Sequence, residues 1–253
     1  MREDFTCSLN GQEFLLLDPR LYIQDIEEQI KVTAETVKRP VYGTTLAGQL
    51  GHDLLNITIT FMIKEADRAK RQQVIQCVNG WAKSGWLTLS TRPGLRLYVH
   101  CTQPVNHTAF TWSDDLSLTF TAYDESYWQS VLPVTATASG TAATLHLNPG
   151  GTRPCCLEAR ITSTSSTVNA VTLTVNGRVF AFERLALAKN KTLVIGYDER
   201  HLLYATVDGV SKLSCRTAAS ADDLWLEPSA DNSVRFTAGA ACSVTLSAKG
   251  EYD

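Results

Sequence analysis

Histidine and cysteine are the residue types that could bind a metal ion or act as nucleophiles, and their spacing supports neither role. No HxH or HExxH motif occurs, no two cysteines form a CxxC pair, and no Cys/His pair has the spacing of a zinc site. His100 and Cys101 are neighbours on a predicted strand, so their side chains should point to opposite faces. The other histidines are scattered, at positions 52, 107, 146 and 201. We therefore predict no metal site.

The acidic pairs of the chain are better explained by turns than by catalysis. Asp114-Asp115 and Asp222-Asp223 each lie just before a predicted strand, where a turn needs side-chain acceptors. No GxSxG nucleophile elbow occurs, and no pair of carboxylates has the context of a glycosidase. We therefore predict no catalytic residue, no cofactor and no enzymatic activity.

Glycines punctuate the segment YGTTLAGQLGHD, residues 42–53. Spaced glycines can cradle a phosphate, but no GK[ST] triplet occurs and no strand–loop–helix context follows. The segment is instead predicted to be an extended, flexible loop. Two leucines in it offer apolar anchors that a free loop does not need. We predict that it is a subunit-interface arm, whose candidate residues are Tyr42, Gly43, Leu46, Gly48, Leu50 and Gly51.

Trp225 is the candidate surface contact. It lies on a predicted strand between Leu224 and Leu226, so the indole faces outward if the two leucines face the core. An outward-facing tryptophan can stack on a sugar, contact a partner subunit or cover a sheet edge. A subunit contact or burial at an edge is favoured over sugar binding.

Composition and charge exclude several classes of function. The 253 residues are 44% apolar and 19% charged, which predicts a packed core, and the net charge of −3 argues against a nucleic-acid binder with a basic face. No apolar run approaches the ~18 residues of a membrane span and no export signal is recognised, so we expect folding in the cytoplasm without membrane insertion. Seven cysteines are then predicted to be reduced thiols.

Residues 1–130 are predicted to form an α+β domain with a mostly antiparallel sheet and the only convincing helix, at 65–84. The helix places Val74, Cys77, Val78 and Trp81 on one stripe, with Arg71 elsewhere, and Gly85 is its predicted stop. Alternating or β-branched runs predict the strands, at 13–18, 21–26, 29–37, 54–63, 86–90, 95–102 and 116–124.

Residues 134–253, after a join at 129–134, are predicted to form a β-sandwich without a helix. Asn176-Gly177 is a strong signal for a type I′ hairpin turn. Short runs of apolar and β-branched residues predict the strands, at about 143–147 and at 156–161, 171–176, 178–183, 192–197, 202–207, 223–228, 233–238 and 242–248.

Two long stretches of the sequence resemble one protein family: residues 37–63, and a run from 148–161 through 190–209 to 224–236. One segment, residues 190–209 (NKTLVIGYDERHLLYATVDG), is predicted to form a β-hairpin followed by a turn at Asp208-Gly209. Its residue pattern is similar to that of a hairpin in the C-terminal domain of siphophage distal tail proteins. Residues 37–63 are similar to that family's Lys-Arg and Gly-rich arm followed by a strand. Residues 148–161 and 224–236 are also similar to it, and Cys155-Cys156 replaces part of the family's pattern.

The resemblance implies a specific assembly. The first domain would be a tail-tube-like belt that forms a homo-hexameric ring, and the second a galectin-like β-sandwich outside the ring. The ring would join the tail-tube protein to the baseplate, fibre hub or receptor-binding protein of a virion tail tip, after assembly in the host bacterial cytoplasm. DNA would pass through without specific binding, which suits an acidic chain. The alternative is a carbohydrate-binding adhesin module of a phage or phage-derived particle.

Overall fold

The protein is mainly β-structure, as the sequence predicts, and its described part contains a single α-helix. The chain divides into two compact units, Met1–Trp128 and Gln129–Asp253. The structure, a computed structural model, describes residues 5–39, 43–106, 115–123, 127–198 and 202–253, with the backbone alone for 31–39 and 43–53.

The first unit is an antiparallel sheet with one helix. Along the sheet the strands follow the order β2-β1-β5-β6-β7-β4-β3. Helix α1 spans Arg68–Trp81, and the strands are β1 (Cys7–Leu9), β2 (Gln12–Glu13), β3 (Leu21–Arg39), β4 (Gly43–Ile63), β5 (Gly85–Leu89), β6 (Leu95–Gln103) and β7 (Leu116–Ala122), with β8 (Trp128–Ser130) at the division between the units.

Alternation along β4 fills the core of this unit. Ile57, Ile59 and Phe61 are fully buried, as the sequence predicts for one face of this strand. Trp81 packs edge-on against Phe14 and Phe120, with ring centroids 5.2 and 5.9 Å away, and its indole N–H donates to the Gln12 carbonyl at 3.0 Å. Trp81 is therefore a core residue.

The first predicted strand, at 13–18, is wrong. Asn10 and Gly11 have positive φ values of 53° and 79° and form a tight turn between β1 and β2. This turn places the short β2 at residues 12–13, and the chain then enters a 3₁₀ turn at Phe14–Leu16. Phe14 is fully buried there, so packing of its ring overrides the strand propensity of the surrounding leucines.

The helix is shorter than predicted, and its buried face is different. Asp67 caps its N-terminus by accepting hydrogen bonds from two backbone N–H groups, and Ala82 leaves helical geometry. Gly85 begins β5 and does not stop the helix. The buried face comprises Arg71, Val74, Ile75, Val78 and Trp81, whereas Cys77 is exposed. Placing Cys77 on the core stripe and Arg71 outside it was therefore wrong, because the buried stripe passes through positions 71, 74, 78 and 81, which follow one another at spacings of three, four and three residues.

The prediction of a flexible loop at 42–53 is also wrong for the part that the structure describes. Residues 43–53 belong to β4 and pair antiparallel with β3, from Arg39 opposite Gly43 to Val32 opposite His52. The glycines gave a loop-like composition, but pairing with a long neighbouring strand satisfies the backbone hydrogen bonds.

The second unit is a β-sandwich. Its strands follow the order β12-β11-β17-β10-β13-β14-β15, with β9 also paired to β17 and β16 paired to β10. The strands are β9 (Val134–Leu147), β10 (Cys155–Ser163), β11 (Val171–Val175), β12 (Arg178–Phe182), β13 (Thr192–Tyr197), β14 (Leu203–Val207), β15 (Val210–Ser211), β16 (Trp225–Leu226) and β17 (Asn232–Ala248). The short β18 (Glu251–Tyr252) follows in the chain and is not part of this sheet.

Strand β17 connects the two layers of the sandwich. Its first part, Val234–Ala238, pairs with β11, and its second part, Cys242–Ala248, pairs with β10. Core-facing side chains of both parts, such as Phe236 and Val244, are fully buried in one cluster. The two strands predicted at 233–238 and 242–248 are thus a single irregular strand, and the short strand expected near 143–147 extends over all of β9.

Both predicted turn signals of this unit are confirmed. Asn176 and Gly177, with φ values of 47° and 85°, join β11 to β12, and Asp208 and Gly209, with 51° and 79°, join β14 to β15. The hairpin predicted within 190–209 is also confirmed, since β13 pairs with β14 from Leu193–Val207 to Tyr197–Leu203. Of the strand predicted at 223–228, only β16 forms.

Candidate functional site

The β3–β4 hairpin extends beyond the sheet that carries it. Strand β4 pairs with β7 only from Leu55 to Phe61, whereas it pairs with β3 as far as Gly43. Residues 31–39 and 43–54 therefore form a two-stranded ribbon, roughly 30 Å long at ~3.3 Å per residue. We call this segment the ribbon.

The ribbon is irregular on its β4 side. Lys31 pairs with Leu54 and Val32 pairs with His52, which leaves one extra β4 residue between these pairs. Further extra β4 residues occur between Gln49 and His52 and between Leu46 and Gly48. Bulges of this kind bend a strand pair and increase its twist. Five of the six predicted arm residues, Gly43, Leu46, Gly48, Leu50 and Gly51, lie in this stretch, and Tyr42 lies outside the described residues. Their role at an interface stays a prediction.

A cluster of charges fixes the base of the hairpin. Arg20, just before β3, forms ion pairs with Asp18 at 2.7 Å and with Glu65, just after β4, at 2.8 Å. Hydrogen bonds from Arg20 lower the pKa of Asp18. The pKa of Glu65 is lowered mainly by a hydrogen bond from the backbone N–H of Asp67 and, to a smaller extent, by one from the Arg20 side chain. Arg92 adds a contact to Glu28 on β3 at 3.0 Å. The base is thus tied to its unit, while the ribbon leaves the sheet.

An aromatic row on the outer face of the sheet was missed by sequence reasoning. Trp86, Tyr98, His100 and Tyr123 form successive ring contacts, with centroids 5.4, 5.5 and 5.8 Å apart. Arg96 lies over the Trp86 ring at 3.8 Å. The alternation of β5 and β6 places Trp86, Tyr98 and His100 on the face opposite the buried Leu87, Leu97 and Val99. The sequence therefore indicates the direction of these three side chains, whereas their contacts form only through strand pairing. A partly exposed aromatic row suits contact with another macromolecule.

Trp225 lies where the alternation predicts. Leu224 and Leu226 are buried, and Trp225 is partly exposed. Its ring lies 5.8 Å from that of Tyr197, whose hydroxyl accepts a hydrogen bond from the Leu224 N–H. The structure thus adds Tyr197 to this surface, and the role of Trp225 in binding stays a prediction.

Cysteine thiols and a shallow depression are further features of the described residues. No three His, Cys, Asp or Glu side chains in this part of the chain come together as a metal site. All seven cysteines are free thiols, and burial raises the pKa of both Cys7 and Cys155 to about 12. A shallow depression of about 370 Å³ is lined by Leu203, Leu213, Arg216, Thr217 and Ala218, but the Arg216 guanidinium is paired with Asp222 at 2.7 Å.

None of the described helices has the length and apolar character that a membrane crossing requires.

Comparison with known proteins finds a likeness at the level of structure. No family model matches the sequence, and no curated protein matches it significantly. The Dit protein (gp 19.1) of SPP1, a paradigm of the hub adsorption apparatus in phages that infect Gram-positive bacteria, superposes with a TM-score of 0.68 and 13% identity, over 98% of this chain and 99% of that one. The baseplate of phage P2, in its activated conformation with Ca, gives 0.45 and 7% identity over 97% and 98% of the two chains.

The likeness to SPP1 Dit covers both units of the chain, and at 13% identity it concerns the fold. The likeness to the P2 baseplate is too low to support an argument. The chain therefore has the fold of a phage Dit protein over nearly its whole length, as the resemblance to distal tail proteins implied.

Proposed function

We propose that this protein is a structural component of a phage tail tip, in which six copies form a ring. The ring joins the tail tube to the baseplate or to the fibre hub, and DNA passes through it. The observation that carries the proposal is the likeness to SPP1 Dit over 98% of the chain, which includes both units.

The ribbon supports the ring. A closed ring needs a heterologous interface, in which one surface of a subunit meets a different surface of the next. The ribbon projects beyond the sheet, and its sequence contains Leu46 and Leu50, which a solvent-exposed strand pair does not require. In the proposed ring, the ribbon of one subunit lies against the sheet of its neighbour.

The charge of the chain supports a conduit. A channel that holds DNA tightly would prevent its passage, and the net charge of −3 at pH 7 disfavours binding to phosphates. The number six rests on the sequence resemblance to distal tail proteins.

The proposal is tested by shortening the hairpin. A variant that replaces residues 33–51 with Asn-Gly, between Val32 and His52, removes the irregular ribbon and keeps the pairs from Leu21–Ile63 to Lys31–Leu54. Electron micrographs of the full-length protein should show rings with a central hole. Those of the shortened variant should show no rings, and its circular-dichroism spectrum should still be that of a folded β-protein.

A matched control replaces Trp225 with Ser, which changes a partly exposed aromatic residue of the other unit. Rings should persist in this variant. Rings that persist in the shortened variant would contradict the role of the ribbon. Binding of the intact protein to a glycan array, lost in the Trp225→Ser variant and without ring formation, would support the adhesin alternative instead.

A further inference from the structure

Strand β9 is a long edge strand of the sandwich. All but one of its 14 residues are assigned a Cα partner in β17, and no strand of the described chain pairs with its other side. In an antiparallel pair, alternate residues direct their N–H and C=O groups away from the partner strand. About half of the backbone groups of β9 therefore face an open edge.

The other edges of the sandwich are short or covered. The edge of β12 accepts hydrogen bonds from the segment that follows β15: Thr217 N–H donates to the Ala181 carbonyl at 2.9 Å and Ala221 N–H to the Val179 carbonyl at 2.8 Å. At the far end of the strand order, β15 has only two residues. The open edge of β9 is thus an exception within this unit.

Strand β9 also has none of the residues that usually protect an edge. Its sequence, VTATASGTAATLHL, contains no Lys, Arg, Asp, Glu or Pro. Long, uncharged edges pair readily with other strands, and natural proteins block them with charges, prolines or covering segments. The composition of β9 therefore favours pairing.

The core-facing side of β9 leaves the flank of the sandwich partly open. Ala136, Ala138 and Ala143 pack against the core but stay partly exposed, whereas Leu145 and Leu147 are buried. Small side chains at an edge cover little of the apolar layer behind them. A strand added beside β9 would remove this apolar surface from water.

The shape of the edge restricts its partner. The first half of β9 pairs with Cys242–Ala248 and the second half with Asn232–Thr237, so the two halves belong to different layers. Gly140, at the transition, has a φ of 132°. Core-facing residues have even numbers before Gly140 and odd numbers after Thr141. A strand that pairs along the whole edge must bend and change faces in the same place, and a straight strand would fit one half only.

We propose that the open edge of β9 binds β9 of a second copy of this chain, antiparallel, about a twofold axis near Gly140. In this arrangement the first half of one copy lies beside the second half of the other, so Ala138 is opposite Ala143 and Ala136 is opposite Leu145. Core-facing residues then meet core-facing residues along the whole edge, and no like charges oppose each other. Each layer of one sandwich continues into a layer of the other.

The test combines mass and amide exchange on the full-length protein over a concentration series. Native mass spectrometry should show species of doubled mass as the concentration rises. Hydrogen exchange should show that amides of β9 become protected over the same range. The hairpin variant that replaces residues 33–51 should still form pairs, which separates this contact from ring formation.

A matched pair of variants locates the contact. Ala138→Lys places a charge on the core-facing side of the edge and should weaken pairing by about tenfold or more, whereas Thr137→Lys places it on the solvent-facing side and should have a much smaller effect. If the Ala138→Lys variant does not fold, amide exchange of β9 in the unmodified protein still tests the contact.

Three outcomes would overturn the proposal: the absence of any doubled species at high concentration, a doubled species in which β9 amides exchange as in the single copy, and protection of β9 that occurs only when another tail protein is added. The last result would assign the edge to a different partner chain.

Discussion

Arg20 is the residue that holds the two ends of the long hairpin together. It pairs with Asp18 before β3 and with Glu65 after β4, and it donates three hydrogen bonds to these carboxylates in addition to its own backbone contact with Asp18. Charge-assisted bonds of this geometry are stronger than neutral ones. The ribbon begins at residue 31, ten residues after the first residue of β3. We therefore expect this cluster to stabilise the base from which the ribbon extends.

We expect Asp18→Asn to lower stability at neutral pH and to reduce its dependence on acid. Hydrogen bonds from Arg20 lower the pKa of Asp18 in the folded state, so its stabilising contribution is complete above the unfolded-state value near 3.9 and is lost as the pH falls through the folded-state value. Urea unfolding at pH 7 should show a loss of about 1 kcal/mol, and the difference from wild type should shrink at pH 3.

Asp222→Asn is the control for this prediction, because Asp222 also pairs with an arginine but its side chain is 92% exposed. It should change stability little at either pH. An equal loss for Asp18→Asn at pH 7 and pH 3 would contradict the assigned cause.

Single residues were predictable where one local rule decides their position. Asn-Gly and Asp-Gly turns followed from backbone preference, and the outward direction of Trp225 followed from alternation. The burial of Arg71 was not predicted, because arginine is usually found at the surface. Its spacing along the helix from Val74, Val78 and Trp81 nevertheless places it on the buried face. The aromatic row was missed because its members come from β5, β6 and the residue after β7, which only pairing brings together.

At the scale of elements, the sequence predicted strands best where apolar residues alternate with polar ones. β4 from residue 54, β6, β7 and β10 to β14 were found in this way. The outer part of β4 and most of β9 were missed because glycine, threonine and alanine carry little periodic signal, and pairing with β3 and β17 makes them strands. Both missed elements belong to proposed contacts between subunits.

Two glycine substitutions test the assignment of turn and helix. Gly177→Ala should lower stability by about 1 kcal/mol, because residue 177 has a φ of 85° that an L-amino acid with a side chain adopts poorly. Gly80→Ala should raise stability by up to about 1 kcal/mol, since Gly80 lies inside α1 and an added Cβ meets no atom within 4 Å. Melting curves should therefore shift in opposite directions, and shifts of the same sign would show that one of the two positions is wrongly assigned.

At the scale of the molecule, the division at Trp128 and Gln129 lies at the start of the join predicted from composition. That the two units fold separately stays a prediction. The second unit has its own core of fully buried residues, such as Leu157, Phe180 and Val244, which is the basis for expecting independent folding.

We expect the fragment 129–253 to fold without the first unit. Its amide resonances should be well dispersed, and its melting transition should be cooperative. A fragment with the narrow amide dispersion of an unfolded chain would contradict this expectation and would show that its core requires the rest of the protein. The fragment 1–128 provides the complementary measurement.

Assembly of the chain into a six-membered ring is tested most directly by native mass spectrometry over a concentration series. We expect species of six copies, or of twelve where the open edges of β9 pair. The tail-tube protein from the same source should be added in a parallel series, because it supplies the surface on which such a ring would form. A protein that stays a monomer at every concentration, and also with the tail-tube protein present, would contradict the proposed ring.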